Sequence, residues 1–430
     1  MAGGRATHSH APRGPRIDLL QPLADIDWLS EMLMFAFVVL VVVTGFVSIP
    51  VTVFFVEVLA SLYPVTEPAA ASRLNEVKRT TVIVPAHNES AGIVPTIEDI
   101  KSQLGSRDRL IVVADNCSDD TGSVAAAAGA EVIIRNDLSQ IGKGYALGFG
   151  INHLSLDPPD LVVFFDADCR IQSGLIGQLK DVCSKLKRPV QACYLMKSPE
   201  NSAINHGFAE FAWLVKNWSR PLGLWRLNCP VQLMGTGMIF PWEVIRSAPL
   251  ASGDLVEDMK LGLDLAVVGK APCFFPFAVV SSEFPMSDKG ADSQRQRWVQ
   301  GHIGTILKSV PWLLFCAIKR GNLNLLVLTL DVAVPPLSLL GLLVVATLSL
   351  NTVAWLFGAS GTLVVIATAN LVAFALAILL AWLKVGRAVL PARILMSIGP
   401  LIGKRIRLYG QMTLGKTVTS WVRTDRKKPH

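Results

Sequence analysis

Charge is scarce in this 430-residue chain: 17% of its residues are Asp, Glu, Lys or Arg, against roughly a quarter in soluble globular domains. With 51% of positions hydrophobic and a mean hydropathy of +0.45, the shortage excludes disorder and an ordinary soluble enzyme, and it assigns part of the chain to lipid. The seven cysteines (117, 169, 183, 193, 229, 273 and 316) contain no Cys-x-x-Cys pair. That argues against a zinc or disulfide framework and fits thiols kept reduced in a cytoplasmic domain. Internal repeats are lacking, and low complexity is confined to the alanine run at 125–128. Net charge is also missing from the first 403 residues. From Lys404 to His430 eight basic residues face a single acid, Asp425, so this tail holds the whole excess of +7. Such a tail suits an anionic lipid surface, and the balanced remainder gives no reason to expect nucleic acid as a partner.

After an N-terminal tail (1–31), the run from Met32 to Leu62 has Glu57 as its only charge. It is long enough to span a bilayer and too long for a cleaved signal peptide. Two further spans are expected at Leu325–Leu350 and Leu363–Leu383, joined by a loop without Lys or Arg. Lys319 and Arg320 precede this hairpin and Lys384, Arg387 and Arg393 follow it, so its outer flanks and the 404–430 tail are placed in the cytoplasm. The first span has balanced flanks; a cytoplasmic middle requires its N-terminus outside. Apolar stretches at 310–320 and 389–403, interrupted by Pro311, Pro391 and Pro400, read as interfacial or re-entrant segments. Asp331, inside an expected span, is either a functional carboxylate or a residue of the span's cytoplasmic end.

The middle, 77–308, alternates short apolar runs with amphipathic stretches, the pattern of an α/β sheet. Strands are predicted at 81–85, 109–115, 130–134 and 161–166; their nearly continuous β-branched and aromatic character indicates burial on both faces. Three end in polar groups: Ala86-His87-Asn88-Glu89, Asp115-Asn116 and Asp166-Ala167-Asp168. Ligands bind at the carboxyl ends of strands in open parallel sheets, so these clusters should meet in one pocket.

Asp166 and Asp168, two apart at a strand end, would project to one side and face a divalent cation; a solvated turn is the plainer reading. Glu257 and Asp258 open an amphipathic helical stretch, where acids often serve only as dipole partners. Gln294, Arg297 and Trp298 share one face if helical. They would offer an amide, a phosphate-binding guanidinium and a flat indole, or else a membrane-interface anchor. Gly142-Lys143-Gly144 is only a fragment of a phosphate loop, and His87 reads as a turn residue.

In chain order, VPAHNE, ADNCSDDT, GKGYAL, FFDAD, GTG, VED and QRQRW resemble the membrane-bound family 2 glycosyltransferases with a GT-A fold. That group includes cellulose, hyaluronan and poly-N-acetylglucosamine synthases, ceramide glucosyltransferase and exopolysaccharide transferases. The resemblance covers about Arg79 to Gly301 and the flanking membrane layout. It implies a Rossmann-like, mostly parallel sheet, with Pro85, Glu89 and Asp115 lining the nucleotide pocket and Lys143 nearby. Asp166 and Asp168 would hold a divalent cation, Mg²⁺ or Mn²⁺, Asp168 the more directly. Gly235, Thr236 and Gly237 would lie under the acceptor, Asp258 would be the general base with Glu257 its neighbour, and Gln294, Arg297 and Trp298 would face acceptor and diphosphate. Val256 stands where Thr is more usual, and Cys169 follows the metal motif. The function implied is inverting transfer of a sugar from a nucleotide-sugar, a UDP-sugar above all, to a lipid-linked or polysaccharide hydroxyl at the cytoplasmic face of the cell membrane. Exopolysaccharide or cell-envelope synthesis, with partners in a polysaccharide export assembly, would be the setting. A processive synthase that also translocates its product is the alternative, though three spans make a thin pore; a glycolipid (ceramide-like) glucosyltransferase or an inactive nucleotide-sugar scaffold fits less well.

Overall fold

The computed structural model of the chain describes residues 21–66, 78–199, 204–285, 288–395, 399, 403 and 406–410. Most of the basic tail, and of the expected 389–403 segment beyond 395, therefore lies outside the described residues, as do the first 20 positions.

The α/β part is an eight-stranded sheet: β1 (Thr80–Ala86), β2 (Arg109–Asp115), β3 (Glu131–Arg135), β4 (Leu161–Phe164), β5 (Arg170–Ile171), β6 (Val190–Lys197), β7 (Met238–Pro241) and β8 (Cys273–Glu283). Its order is β3-β2-β1-β4-β7-β6-β8-β5. The expected mostly parallel sheet is a mixed one. β3, β2, β1 and β4 run parallel, as does β6 with β8, while β7 is antiparallel to both β4 and β6, and β5 to β8. The antiparallel β7 follows a polypeptide excursion, not a βαβ crossover, so the handedness rule for parallel units does not bind it.

Helices α1 (Gln21–Ser61), α2 (Ile93–Lys101), α3 (Thr121–Ala127), α4 (Lys143–Leu154) and α5 (Leu175–Leu186) precede β6 in the chain. α6 (Ile204–Leu214) runs through a π-helical turn, Val215–Ser219, into α7 (Arg220–Arg226). Then come α8 (Trp242–Ile245), α9 (Glu257–Val267), α10 (Asp288–Lys308), α11 (Val310–Arg320), α12 (Leu323–Val332), α13 (Leu337–Leu356) and α14 (Thr362–Ala381). The apolar strand runs are buried on both faces. Val82, Val84 and Val112 pack with Ile93 and Ile97 of α2 on one side, and Ile83, Ile111 and Val113 with Leu147, Ile151 and Leu154 of α4 on the other.

Among the described residues, three helices are long and apolar enough to cross a membrane: Met34–Ser61, Leu337–Leu356 and Thr362–Gly386. The bent pair Asp292–Lys308 and Val310–Arg320, 47° apart, would make a fourth if taken as one broken span. The run expected as one span over Leu325–Leu350 is instead two helices, α12 and α13. Pro335 and Pro336 sit at the break; neither can donate a backbone N–H, and the residue before each is steered away from helix. α1, α13 and α14 are joined by polar links within an apolar bundle. Asn351 Nδ2 donates to Thr44 Oγ1 over 2.9 Å and Asn370 Nδ2 to Ser48 Oγ over 2.9 Å, the kind of contact that holds helices together where lipid removes the hydrophobic driving force.

Candidate active site

The polar ends of β1, β2 and β4 meet as the sequence suggests. Pro85, Glu89, Asp115, Asp166 and Asp168 line one cavity of about 560 Å³, a size typical of ligand sites. Lys143, Gly235, Glu257, Asp258, Gln294, Arg297 and Trp298 line it too. The pocket is thus assembled from segments more than 200 positions apart in the chain.

On the β2 side, Asp115 is buried and accepts a 2.7 Å hydrogen bond from Arg135 Nη1, at the end of β3. Burial raises its carboxyl above the ordinary range, and Arg135 pulls it back. Asn88 and Asn116, which follow β1 and β2, both have positive φ, 56° and 50°, a conformation that asparagine tolerates better than most residues. Asn88 Oδ1 accepts from Ser118 N over 2.7 Å, tying the two strand-end loops together.

Asp166 and Asp168 lie past β4, in the turn that follows it, and not on extended strand. Their carboxylates still converge: ligand atoms of Asp166, Asp168 and Cys169 all fall within 4.8 Å of one another. Two carboxylates suit a hard divalent cation such as Mg²⁺ or Mn²⁺. The thiol does not, since burial drives the Cys169 pKa up to about 12 and keeps it protonated. The residues present therefore fit such an ion through the two carboxylates.

Lys143, the first residue of α4, carries the charge balance of the pocket. Its ammonium pairs with Asp166, donates to the Gly235 carbonyl over 2.6 Å and lies 3.9 Å from Glu257 Oε1. Burial opposes its charge, but Asp166, Glu257 and Asp258 outweigh it and hold the pKa above the ordinary lysine value. Glu257 and Asp258 form the first turn of α9. Asp258 Oδ1 accepts from Met259 N over 2.8 Å. Burial raises both carboxyls above their ordinary range, while Lys143 acts in the opposite direction on each.

The Gly-Thr-Gly segment divides. Gly235 lines the cavity at φ +89°, and a Cβ there would stand 3.2 Å from Asp258 Oδ2 and 3.4 Å from Lys143 Nζ. Thr236 and Gly237, expected under the acceptor, do not line the cavity. Thr236 is fully buried and its Oγ1 accepts from Asp166 N over 3.0 Å. Gly237 bridges β4 and β6, donating to Phe164 O (2.9 Å) and accepting from Ala192 N (2.8 Å). They act behind the wall, fixing the backbone that presents Asp166.

Gln294, Arg297 and Trp298 do share a face of α10 and turn it into the cavity, the first two with exposures of 7% and 9%. Sequence reasoning missed the groups packed beside them. Trp213 of α6 lies 4.9 Å from Trp298 between ring centroids, and meets Tyr194 edge-on at 5.4 Å; both Trp213 and Tyr194 line the cavity, as does Lys216. The only sequence signal was a lone lysine in an aromatic helical stretch, Phe211 to Trp218.

A model of the family described as "Glycosyltransferase like family 2" matches residues 78–301. The protein named "Probable glycosyltransferase YdaM" of Bacillus subtilis is 26% identical over 262 residues, 56% of this chain and 59% of that protein. Glucosyl-3-phosphoglycerate synthase of Mycolicibacterium smegmatis is 30% identical over 196 residues, 42% of this chain and 62% of that one. The chain thus spans about three-fifths of the length of these two relatives. Among solved structures, the mannosyltransferase PcManGT of Pyrobaculum calidifontis, in complex with GDP-Man and Mn²⁺, has 15% identity and a TM-score of 0.49, covering 81% of this chain and 97% of that one. Because the family match takes in more than half of the chain and lies on the mixed α/β sheet that builds the cavity, the chain belongs to the glycosyltransferase family 2 and carries its GT-A-like domain.

Proposed function

We propose that the chain is an inverting glycosyltransferase that moves a sugar from a nucleotide-sugar, a UDP-sugar in the first instance, to a hydroxyl of a lipid-linked or polysaccharide acceptor at the cytoplasmic face of the cell membrane. Exopolysaccharide or cell-envelope glycan synthesis is the setting that fits the apolar helices. One observation carries this reading: a single cavity gathers Asp166 and Asp168, the Lys143 cation, Asp258 and the Trp298 indole.

The roles follow from the chemistry. Asp115 and Glu89 sit at the ends of the nucleotide-side strands, where they would contact base and ribose. Asp166 and Asp168 would hold a divalent cation, which when bound supplies positive charge to the leaving diphosphate. Lys143 keeps its charge through its carboxylate neighbours, and so contributes to the same stabilisation. Asp258 takes the proton from the acceptor hydroxyl, whose oxygen attacks the anomeric carbon as the bond to the diphosphate breaks; a carboxylate with a raised pKa is suited to that task. Glu257 neighbours it and shares Lys143. Gln294 and Arg297 bound the acceptor and diphosphate side, and Trp298 with Trp213 offers flat surfaces for a sugar ring.

Incubating the purified protein in detergent with a panel of UDP-sugars and Mg²⁺ or Mn²⁺ tests the reading. UDP release that rises when polyprenyl-diphosphate glycans are added is the expected result; acceptor-independent hydrolysis alone, or none with any UDP-sugar, would sink it.

A further inference from the structure

Lys216 occupies an unusual position. It lies in the five-residue π-helical turn Val215–Ser219 between α6 and α7. Such turns carry an extra residue that re-aims the side chains around it, and they recur at functional sites. The middle of this turn and the residue that follows it are tied down. Asn217 Nδ2 donates to Tyr194 O over 3.1 Å, and Arg220 is fixed by two carboxylates, Glu57 and Asp331. Lys216 is thereby held in the cavity wall, its Nζ 5.6 Å from the centroid of the Trp213 ring.

Among the described residues its ammonium makes no hydrogen bond and no ion pair. Burial works against its charge and lowers its pKa; the charged groups acting on it are Asp258, from α9, Arg220 and Asp331. Lys143, by contrast, is fully engaged with Asp166, Gly235 and Glu257. The cavity thus presents a second lysine, on a different element, next to Asp258 and the paired indoles. A neutral glycan hydroxyl needs no such cation, and this half-buried ammonium has carboxylate charges near it but no direct ion pair with either.

We propose that Lys216 binds an anionic group of the acceptor, a phosphate or diphosphate carried close to the hydroxyl that Asp258 deprotonates. The acceptor class is then a phosphate-linked sugar, on a lipid or free in solution, and not a neutral glycan. This rests on the transferase reading above, and particularly on the place given to Asp258.

The test measures binding without turnover. The full chain, in a polyoxyethylene detergent with UDP and Mn²⁺ filling the donor side, is titrated with decyl phosphate, glucose 6-phosphate and decyl glucoside. Wild-type protein should bind at least one of the two phosphates; decyl phosphate alone points to a lipid source, glucose 6-phosphate alone to a soluble one. Lys216→Gln should weaken that binding by about tenfold or more, as expected for a lost charge-assisted contact. It should leave decyl glucoside and UDP affinity unchanged, and Lys216→Arg should retain phosphate binding. In the wild-type protein the bound phosphate should also slow modification of Lys216 by an amine reagent, a readout independent of how the variants fold. The proposal is overturned if neither phosphate binds, if Lys216→Gln binds phosphate as tightly as wild type, if decyl glucoside weakens equally, if UDP affinity falls instead, or if modification of Lys216 is not slowed. Phosphate binding of the expected kind with no transfer from any UDP-sugar would count against the transferase reading alone.

Discussion

Arg220 of α7 donates from Nε to Glu57 Oε2 in the apolar helix α1 over 2.5 Å. Its Nη2 reaches Asp331 in α12, whose other oxygen accepts from Gln232 Nε2 over 2.8 Å. All three charged groups are buried, with exposures of 4%, 2% and 4%. Asp331, which the sequence left open as a functional carboxylate, is thus one leg of an ionic tie between the α/β domain and the apolar helices.

Removing the centre of that tie leaves two buried carboxylates without a cation. Breaking a buried pair in this way costs about 3–5 kcal/mol. Arg220→Leu should therefore lower the melting temperature in detergent by many degrees, and a melting curve like that of wild type would refute the structural role.

Asp258→Asn keeps the shape of the first turn of α9 but cannot perform the proposed role of taking the acceptor's proton. Turnover should fall by about 10² to 10⁴, the usual contribution of a general base, while affinity for UDP stays within a factor of about two by isothermal titration. Normal turnover would remove Asp258 from the mechanism.

The same residue sets a pH dependence. In the proposed role the ionised carboxylate is the active form, and burial raises its pKa above the ordinary carboxylate range, roughly 3.9 for Asp. Turnover should thus be lost as pH falls through a midpoint above that range and be flat on the alkaline side of it. A rate profile that is level down to the ordinary carboxylate range would contradict the burial argument.

Asp168→Ala removes one of the two carboxylate charges proposed to hold the cation. Donor affinity should lose its dependence on Mn²⁺, as measured by UDP binding with and without the metal. If the metal still tightens UDP binding to the wild-type extent, the carboxylate pair is not its site.

Two glycines two residues apart should respond differently. Gly235→Ala places a Cβ between Asp258 and Lys143 at a positive φ, so transfer should fall sharply with a modest loss of stability. In Gly237→Ala the Cβ would lie 2.8 Å from Val280 Cγ2 and 3.0 Å from Ala192 Cβ, and overpacking of this kind costs about 1–3 kcal/mol. Its main effect should appear as a lower melting temperature; the reverse pattern would refute the division of the segment.

Much of this protein could be read from the chain alone. Continuous apolar runs at β1, β2 and β4 declare strands buried on both faces, because only a sheet covered on both sides removes every residue of such a run from water. Polar groups at the ends of those runs follow from where strands stop, and the helical spacing of Gln294, Arg297 and Trp298 suffices to put them on one face. Tertiary structure decided what depends on contacts distant in sequence. Antiparallel β7 enters the sheet between β4 and β6, Thr236 turns away from the cavity to brace Asp166, and Asp331 pairs with Arg220 111 positions away. The π-helical turn that aims Lys216 is another such feature, since no periodicity in the sequence announces one extra residue in a helix. Local propensity and hydrophobic period act over a few residues, whereas charge pairing and wall-building are settled only when the chain has closed around the cavity.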